Sequence, residues 1–208
     1  MGKMVVACFM VAGALVSTAA GPRGVVEVAV TRVLEALQEA DLGRPEDPRA
    51  ARRHIARQRA EVRRAAGDLF DAEEMARRAL SRHWAARSAG EQTEFVALFA
   101  DLLERAYVAR LETYTGERVV FKDEVVDGPY AVVRTRVVRG RHAETPVDYR
   151  LHLRDGRWRV YDVLVDQVSF IATYRRQFDG IIRRESYAGL ADRLRRRQVA
   201  APGLDPTP

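Results

Sequence analysis

Three observations predict an α+β domain: a curved, antiparallel, four-stranded sheet covered by helices. Before Gly116 the apolar residues recur with the helical period of about 3.6. Between Arg118 and Val165 they alternate with a period of about 2, and beyond Phe170 the helical period returns. Helices first, strands together and a helix last, with no strand–helix–strand alternation, describe helices packed on one antiparallel sheet and not a doubly wound parallel one. A chain of 208 residues, 47% hydrophobic and 31% charged, suffices for one such domain with short appendages.

The appendages are read first. Residues 1–20 predict a signal peptide: Lys3 supplies a positive start, Met4 to Val16 an apolar run, and Ser17-Thr18-Ala19-Ala20 the small residues of a cleavage site near Ala19 or Ala20. The run is shorter than the roughly 18–20 residues of a membrane-spanning helix. Cys8 is the only cysteine, so a disulfide framework, a cysteine zinc site and a dithiol redox pair are excluded. Export also argues against nucleic acid as a partner. Residues 21–197 are expected to form a single domain, and the proline-containing segment 198–208 a disordered tail.

Within the domain, Val28, Val33, Leu34 and Leu37 predict an amphipathic helix over Val25 to Leu42, ended by Gly43-Arg44-Pro45. A second helix, from Pro48 to about Ala66, carries Arg49, Arg52, Arg53, Arg57, Arg59, Arg63 and Arg64, with Ile55, Val62 and alanines to bury, and belongs on the surface. Asp71, with Glu74 three residues on, predicts the capped start of a third helix running toward Trp84. Ser88 and Glu91 repeat that capping signature before the longest apolar stripe of the chain, Phe95, Leu98, Phe99, Leu102, Leu103, Tyr107 and Leu111. Four strands follow: Arg118 to Val126, Tyr130 to Arg139, Thr145 to Arg154 and Trp158 to Val165, with turns at Asp127-Gly128, Gly140-Arg141 and Asp155-Gly156. Ala131, Val133, Thr135 and Val137 share one face of their strand, as do Val147, Tyr149, Leu151 and Leu153; Asp148, Arg150, His152 and Arg154 point the other way. Phe170, Ile171, Tyr174, Phe178, Ile181 and Ile182 open a last helix, which Tyr187, Leu190 and Leu194 continue after a break near Gly180.

The chemistry available is limited. Lys and Arg number 35 against 29 Asp and Glu, and Lys3 and Lys122 are the only lysines. An arginine-rich face of this kind suits anionic headgroups or an acidic partner, and equally a solvated helix. His54, His83, His142 and His152 share no metal-ligand spacing, so no metal site is expected, and there is no nucleophile elbow, phosphate loop or dinucleotide fingerprint. Acid–base work by Asp162 or Asp166 with Tyr161 or Tyr174 would suit a small exported enzyme with a cone-shaped, nuclear-transport-factor-like or cystatin-like fold. Asp162 is otherwise a structural partner for an arginine, with Arg175 the candidate. Two aromatic helical stripes and an apolar sheet face are expected to converge on one interior, either as a packed core or as an apolar cavity between sheet and helices. A third reading is an adaptor that acts through its arginine-rich face.

Read as strings, the residues resemble the MlaC family of periplasmic phospholipid-binding proteins, also called toluene-tolerance proteins. The resemblance rests on Met75-x8-Trp84; on Ser88-x2-Glu91-Gln92-x2-Phe95-x3-Phe99-x2-Leu102-Leu103-x3-Tyr107-x6-Tyr114-x-Gly116; and on Trp158-Arg-Val-Tyr161-Asp162-Val163 with Val168-Ser169 and Tyr174-Arg175-x2-Phe178. It covers about Phe70 to Leu194. The chain departs from the family pattern where Gln167 replaces a glycine before Val168-Ser169, where Thr173 replaces an asparagine, and where Ser81-Arg82 replaces a glycine before Trp84. The resemblance implies a soluble periplasmic shuttle carrying glycerophospholipid between an inner-membrane ABC transporter complex and an outer-membrane lipoprotein–porin complex, without a cofactor, catalysis or chemical change. Tail recognition by nondirectional burial implies several phospholipid classes as cargo, and release implies movement of the closing helices on docking. The expected lipid-contacting residues are Phe99, Leu103 and Tyr107 from one helix, Val133, Val137, Tyr149, Leu151 and Leu153 from the sheet, and Phe170, Tyr174 and Phe178 from the last helix. Tyr161, Asp162, Ser169 and Arg175 match recurrent family positions and are expected to form a hydrogen-bonded scaffold, with Arg175 as the headgroup-phosphate candidate.

Overall fold

The computed structural model describes residues 21–42, 47–111, 116–140 and 143–200, with side chains at all of these except 39–42, 107–111 and 143. The expected signal peptide and the tail from residue 201 onward lie outside the described residues. The elements run α1 (Pro22–Leu42), α2 (Pro48–Leu69), α3 (Ala72–Leu80), a 3₁₀ turn (Ser81–His83), α4 (Ala89–Leu111), β1 (Arg118–Asp127), β2 (Tyr130–Arg139), β3 (Ala143–Arg154), β4 (Arg157–Val165), β5 (Val168–Ser169) and α5 (Phe170–Arg195). The sheet is a meander in the order β1-β2-β3-β4-β5, antiparallel throughout.

The sheet thus has five strands, not the expected four. β5 is two residues long and carries no periodicity to read. Asp166 and Gln167, both at positive φ (48° and 65°), turn the chain back so that Val168 pairs with Val165 and Ser169 with Leu164. Register shifts between Phe121 and Asp123 and between Arg150 and Leu151 mark irregularities that bend the sheet.

Capping follows local chemistry. Ser88 and Glu91 form a reciprocal box before α4: Ser88 N–H donates to Glu91 Oε2 at 2.8 Å, and Glu91 N–H to Ser88 Oγ at 3.3 Å. Asp71 accepts from Glu74 N–H at 2.9 Å, but Glu74 does not reciprocate, because the Asp71 N–H donates to the Val160 carbonyl and the Glu74 carboxylate turns to Arg77 and Arg78. Burial pushes the Glu74 carboxyl up, and the hydrogen bonds of Arg77 and Arg78 outweigh that and hold it below the usual carboxylate range.

Two expectations about the helices are corrected. The buried face of α1 is Val26, Ala29, Ala36 and Leu37, while Val28 is 58% exposed. α5 runs straight through Gly180 and breaks at Ser186, whose backbone (φ 83°, ψ 170°) leaves the helical region. Ser186 Oγ accepts Gly189 N–H at 3.4 Å, so the residue acts as the N-cap of a second helical segment.

The apolar residues fall into two cores instead of one converging interior. α3, α4 and α5 enclose the first, around Met75, Leu80, Phe95, Phe99, Tyr174, Phe178 and Leu190. α1, α2 and one sheet face enclose the second, around Val26, Ala29, Leu69, Ala131, Val133, Leu151, Val160 and Val163. Phe70, immediately after α2, packs against both.

Gln167, and Ser81 of the pair Ser81-Arg82, hold left-handed backbone positions where the resemblance leads one to expect a glycine. Ser81 has φ 51° and ψ −123°, and Gln167 has φ 65°. A side chain there costs conformational energy that glycine avoids. We predict that Ser81→Gly and Gln167→Gly each stabilise the fold by about 1 kcal/mol. Urea unfolding midpoints should rise for each variant; an unchanged or lower midpoint would show that these turns carry no strain.

Candidate functional site

The expected lipid-contacting residues divide between the two cores. Phe99, Tyr174 and Phe178 are at most 1% exposed and interlock as rings. Phe99 meets Tyr174 edge-on at 5.1 Å and Phe178 at 5.5 Å, and Tyr174 lies 5.6 Å from Phe178. Leu103 is half-buried against this core. Tyr107 lies in α4, and its side chain is outside the described residues. Val133 and Leu151 are fully buried in the sheet core, Tyr149 and Phe170 pack half-buried against it, and Val137 is half-buried farther along β2. Leu153, near the end of β3, is 41% exposed.

The sheet core has an apolar margin that is incompletely covered. Phe121, Val147, Tyr149, Trp158, Val165 and Phe170 surround its sealed centre, and each keeps accessible surface. In-register pairing aligns Tyr149 with Val133 on one side and Val163 on the other, and Val147 with Val165. Tyr149 is the polar group of this wall. Burial pushes its phenol up to about 12, and its hydroxyl has no hydrogen-bond partner among the described residues. With accessible surface and no partner among the described residues, this hydroxyl is free to donate a hydrogen bond to a group that reaches it.

Alternation had singled out Tyr149, but the sequence reading missed the wall opposite. Val26, Ala29 and Leu69 from α1 and α2, and Val160 and Val163 from β4, complete the core. The Val26, Ala29, Ala36, Leu37 series was the signal, obscured by Val28, which breaks the helical period.

The other sheet face is polar. Asp162, 3% exposed, accepts from Ser169 Oγ at 2.6 Å, from Ile171 N–H at 3.1 Å and from Arg150 at 3.4 Å. Ser169 Oγ in turn accepts Ala172 N–H at 3.0 Å, so the pair caps α5. The arginine beside Asp162 is therefore Arg150, one strand away, and not Arg175. Arg175 Nε donates to the Arg78 carbonyl at 3.0 Å, tying α5 to the end of α3. Tyr161, at the irregularity in β4, lies under the Arg78 guanidinium at 4.0 Å and edge-on to His152 and Tyr130. Burial pushes its phenol up, against the opposing pull of Arg78 and Arg150. His152 is hydrogen-bonded to Asp71 at 3.0 Å.

Two concavities open among these polar groups. One, of about 370 Å³, is floored by Val132, Arg134, Arg136, Asp148, Arg150 and Leu164. The other, of about 460 Å³, lies between Arg77, Arg78, Arg82, Trp84 and Arg175. Among the described residues no group of three His, Cys, Asp or Glu side chains is placed to hold a metal, and no helix is long and apolar enough to cross a membrane.

Comparison with known proteins bears on the whole domain. The family model described as MlaC protein matches residues 27–196. Among solved structures, the chain is similar to the phospholipid-binding protein from Ralstonia solanacearum, determined in complex with a phospholipid. The two share 24% identity and a TM-score of 0.73, over 86% of this chain and 97% of that one. At that identity the likeness speaks for the fold.

Two predictions follow from the two sheet faces. Asp162→Ala strands the Ser169 hydroxyl, the Ile171 N–H and Arg150, and should cost about 3 kcal/mol of stability in urea unfolding; a loss within error of zero would mean that α5 needs no such cap. The Tyr149 phenol, raised from its ordinary value of about 10 to about 12, favours the folded state while protonated. That contribution is complete below the unfolded value and disappears as pH rises through the window between the two. Tyr149→Phe should lose less stability across that window than the parent, and equal losses would contradict the burial of the phenol.

Proposed function

The chain belongs to the MlaC family, and from that premise we propose that it is a phospholipid carrier, which takes up the acyl chains of a glycerophospholipid between the sheet and α1–α2 and releases the molecule unchanged. The observation that carries this reading is the incompletely covered apolar sheet face, with the Tyr149 hydroxyl as its unsatisfied donor. Each buried CH₂ of an acyl chain contributes about 0.8 kcal/mol, so a few exposed valine and aromatic surfaces suffice to draw tails out of water. Tyr149 supplies a directed contact for an ester or phosphate oxygen that follows the tails inward. The phospholipid in the Ralstonia solanacearum complex supports the same cargo here.

In this reading the carrier works in the periplasm, between an inner-membrane ABC transporter complex and an outer-membrane lipoprotein–porin complex, and so contributes to outer-membrane lipid asymmetry. The pattern of residues 1–20 supports the setting, and family membership supports the partners. An enzymatic role for Asp162 draws no support. Its oxygens already accept from Ser169, Ile171 and Arg150, on the face opposite the apolar one.

The test is native mass spectrometry of the mature chain purified without detergent, followed by lipid extraction. Copurifying phospholipid of mixed headgroup is the expected result. The double variant Val147→Trp, Val165→Trp places two indoles across neighbouring strands at the rim of the uncovered face and should abolish copurification while keeping a cooperative melt. A parent protein that stays lipid-free after incubation with phospholipid vesicles would overturn the carrier reading.

A further inference from the structure

The surface of α2 is built of arginine. Arg49, Arg52, Arg53, Arg57, Arg59, Arg63 and Arg64 are all exposed, and between them Ala56 and Ala60 are the other exposed residues. Their spacing puts all seven on one side of the helix, over a straight run of roughly 22 Å. The opposite side carries Val62, Ala65 and Leu69, which bury against the rest of the fold. Acidic neighbours answer some of these charges. Arg63 pairs with Glu104 at 2.8 Å, Arg64 with Glu61 at 3.4 Å, and Arg53 reaches Asp47 at 4.0 Å. Arg49, Arg52 and Arg57 make no ion pair with any described residue, and the N-terminal half of α2, from Pro48 to Ala60, has no buried residue.

We propose that this face of α2 is a docking surface for an anionic phospholipid bilayer. The charge distribution selects the occupant. The guanidinium groups do not converge on a point, as they would around a single phosphate; they are strung along a rod, which matches the plane of phosphates at a membrane surface. Arginine binds such phosphates through a planar fork of donors and stays charged at any physiological pH. Alanine at the centre of the face offers nothing to insert among acyl chains, so the helix lies on the headgroups. α2 has no aromatic residue to stack on a nucleic-acid base. The inference rests on the surface of α2 and holds whether or not the apolar sheet face carries cargo.

Sedimentation with vesicles of phosphatidylcholine, alone or mixed with phosphatidylglycerol, tests it. The mature chain should bind the mixed vesicles and not the neutral ones, and should lose binding as ionic strength rises. With about 1 kcal/mol per surface arginine, the triple variant Arg49→Gln, Arg52→Gln, Arg57→Gln should partition about a hundredfold more weakly. The corresponding triple lysine variant should retain most of the binding. Helix content and copurified phospholipid, measured on the same samples, should match the parent, so failure of the cargo reading is seen separately. Equal binding by the glutamine variant and the parent would overturn the proposal. So would parent protein that ignores anionic vesicles, including the case in which soluble polyglutamate retains it, since that result assigns the face to an acidic polypeptide.

Discussion

Two buried carboxylates hold the helices to the sheet. Asp71 caps α3 and is bonded to His152 on β3, and its own N–H donates to the Val160 carbonyl of β4. Asp162, on β4, caps α5 through Ser169 and Ile171 and faces Arg150 on β3. Each carboxylate thus serves a helix N-terminus, where a negative charge is favoured and N–H groups lack intrahelical partners, and each is met by a nitrogen-bearing side chain of β3. The bundle of α3, α4 and α5 has its own aromatic core, and its position relative to the sheet is set by these two polar joints. Both joints use the polar sheet face, and the apolar face is covered by α1 and α2, with Phe170 at its margin.

Much of this was legible in the residues. The change of period at Gly116, the Ser88–Glu91 box and the Asp-Gly turn at Asp155-Gly156 are local features, and local chemistry decides them. β5 was not legible, because two residues carry no period and its turn uses Asp166 and Gln167 where glycine would be expected. Nor was the break at Ser186: the glycine at 180 advertises flexibility, yet a serine that can cap a new helical start is what ends the first one. Partner choice was the least legible. Periodicity shows that Phe99 and Val133 each lie on an apolar face, but not that the two faces meet different elements. Likewise Asp162 could not be matched to Arg150 without the strand register that sets them side by side.

The division of labour matters for the proposed cargo. Rings that interlock at 5 to 6 Å in the helical core leave no loose surface among Phe95, Phe99, Tyr174 and Phe178. The sheet core is different in kind, with small β-branched residues at its centre and half-exposed aromatics at its margin. The former suits permanence, and the latter is the face to which the proposed carrier role assigns the cargo. α2 belongs to both the covering layer and the basic exterior, so its arginines lie on the outside of a helix whose inner side packs on the sheet core.

Phe70 is the residue that packs against both cores. It follows α2 directly, and its neighbour Asp71 is already fixed to β3 and β4. Lifting α1 and α2 away from the sheet would separate Val26, Ala29 and Leu69 from their contacts while leaving the interlocked rings untouched, with Phe70 as the pivot. Substitutions among the buried residues of α1 and α2 therefore act on the sheet core and leave the ring cluster of α3, α4 and α5 intact, so the two layers carry separate shares of the stability.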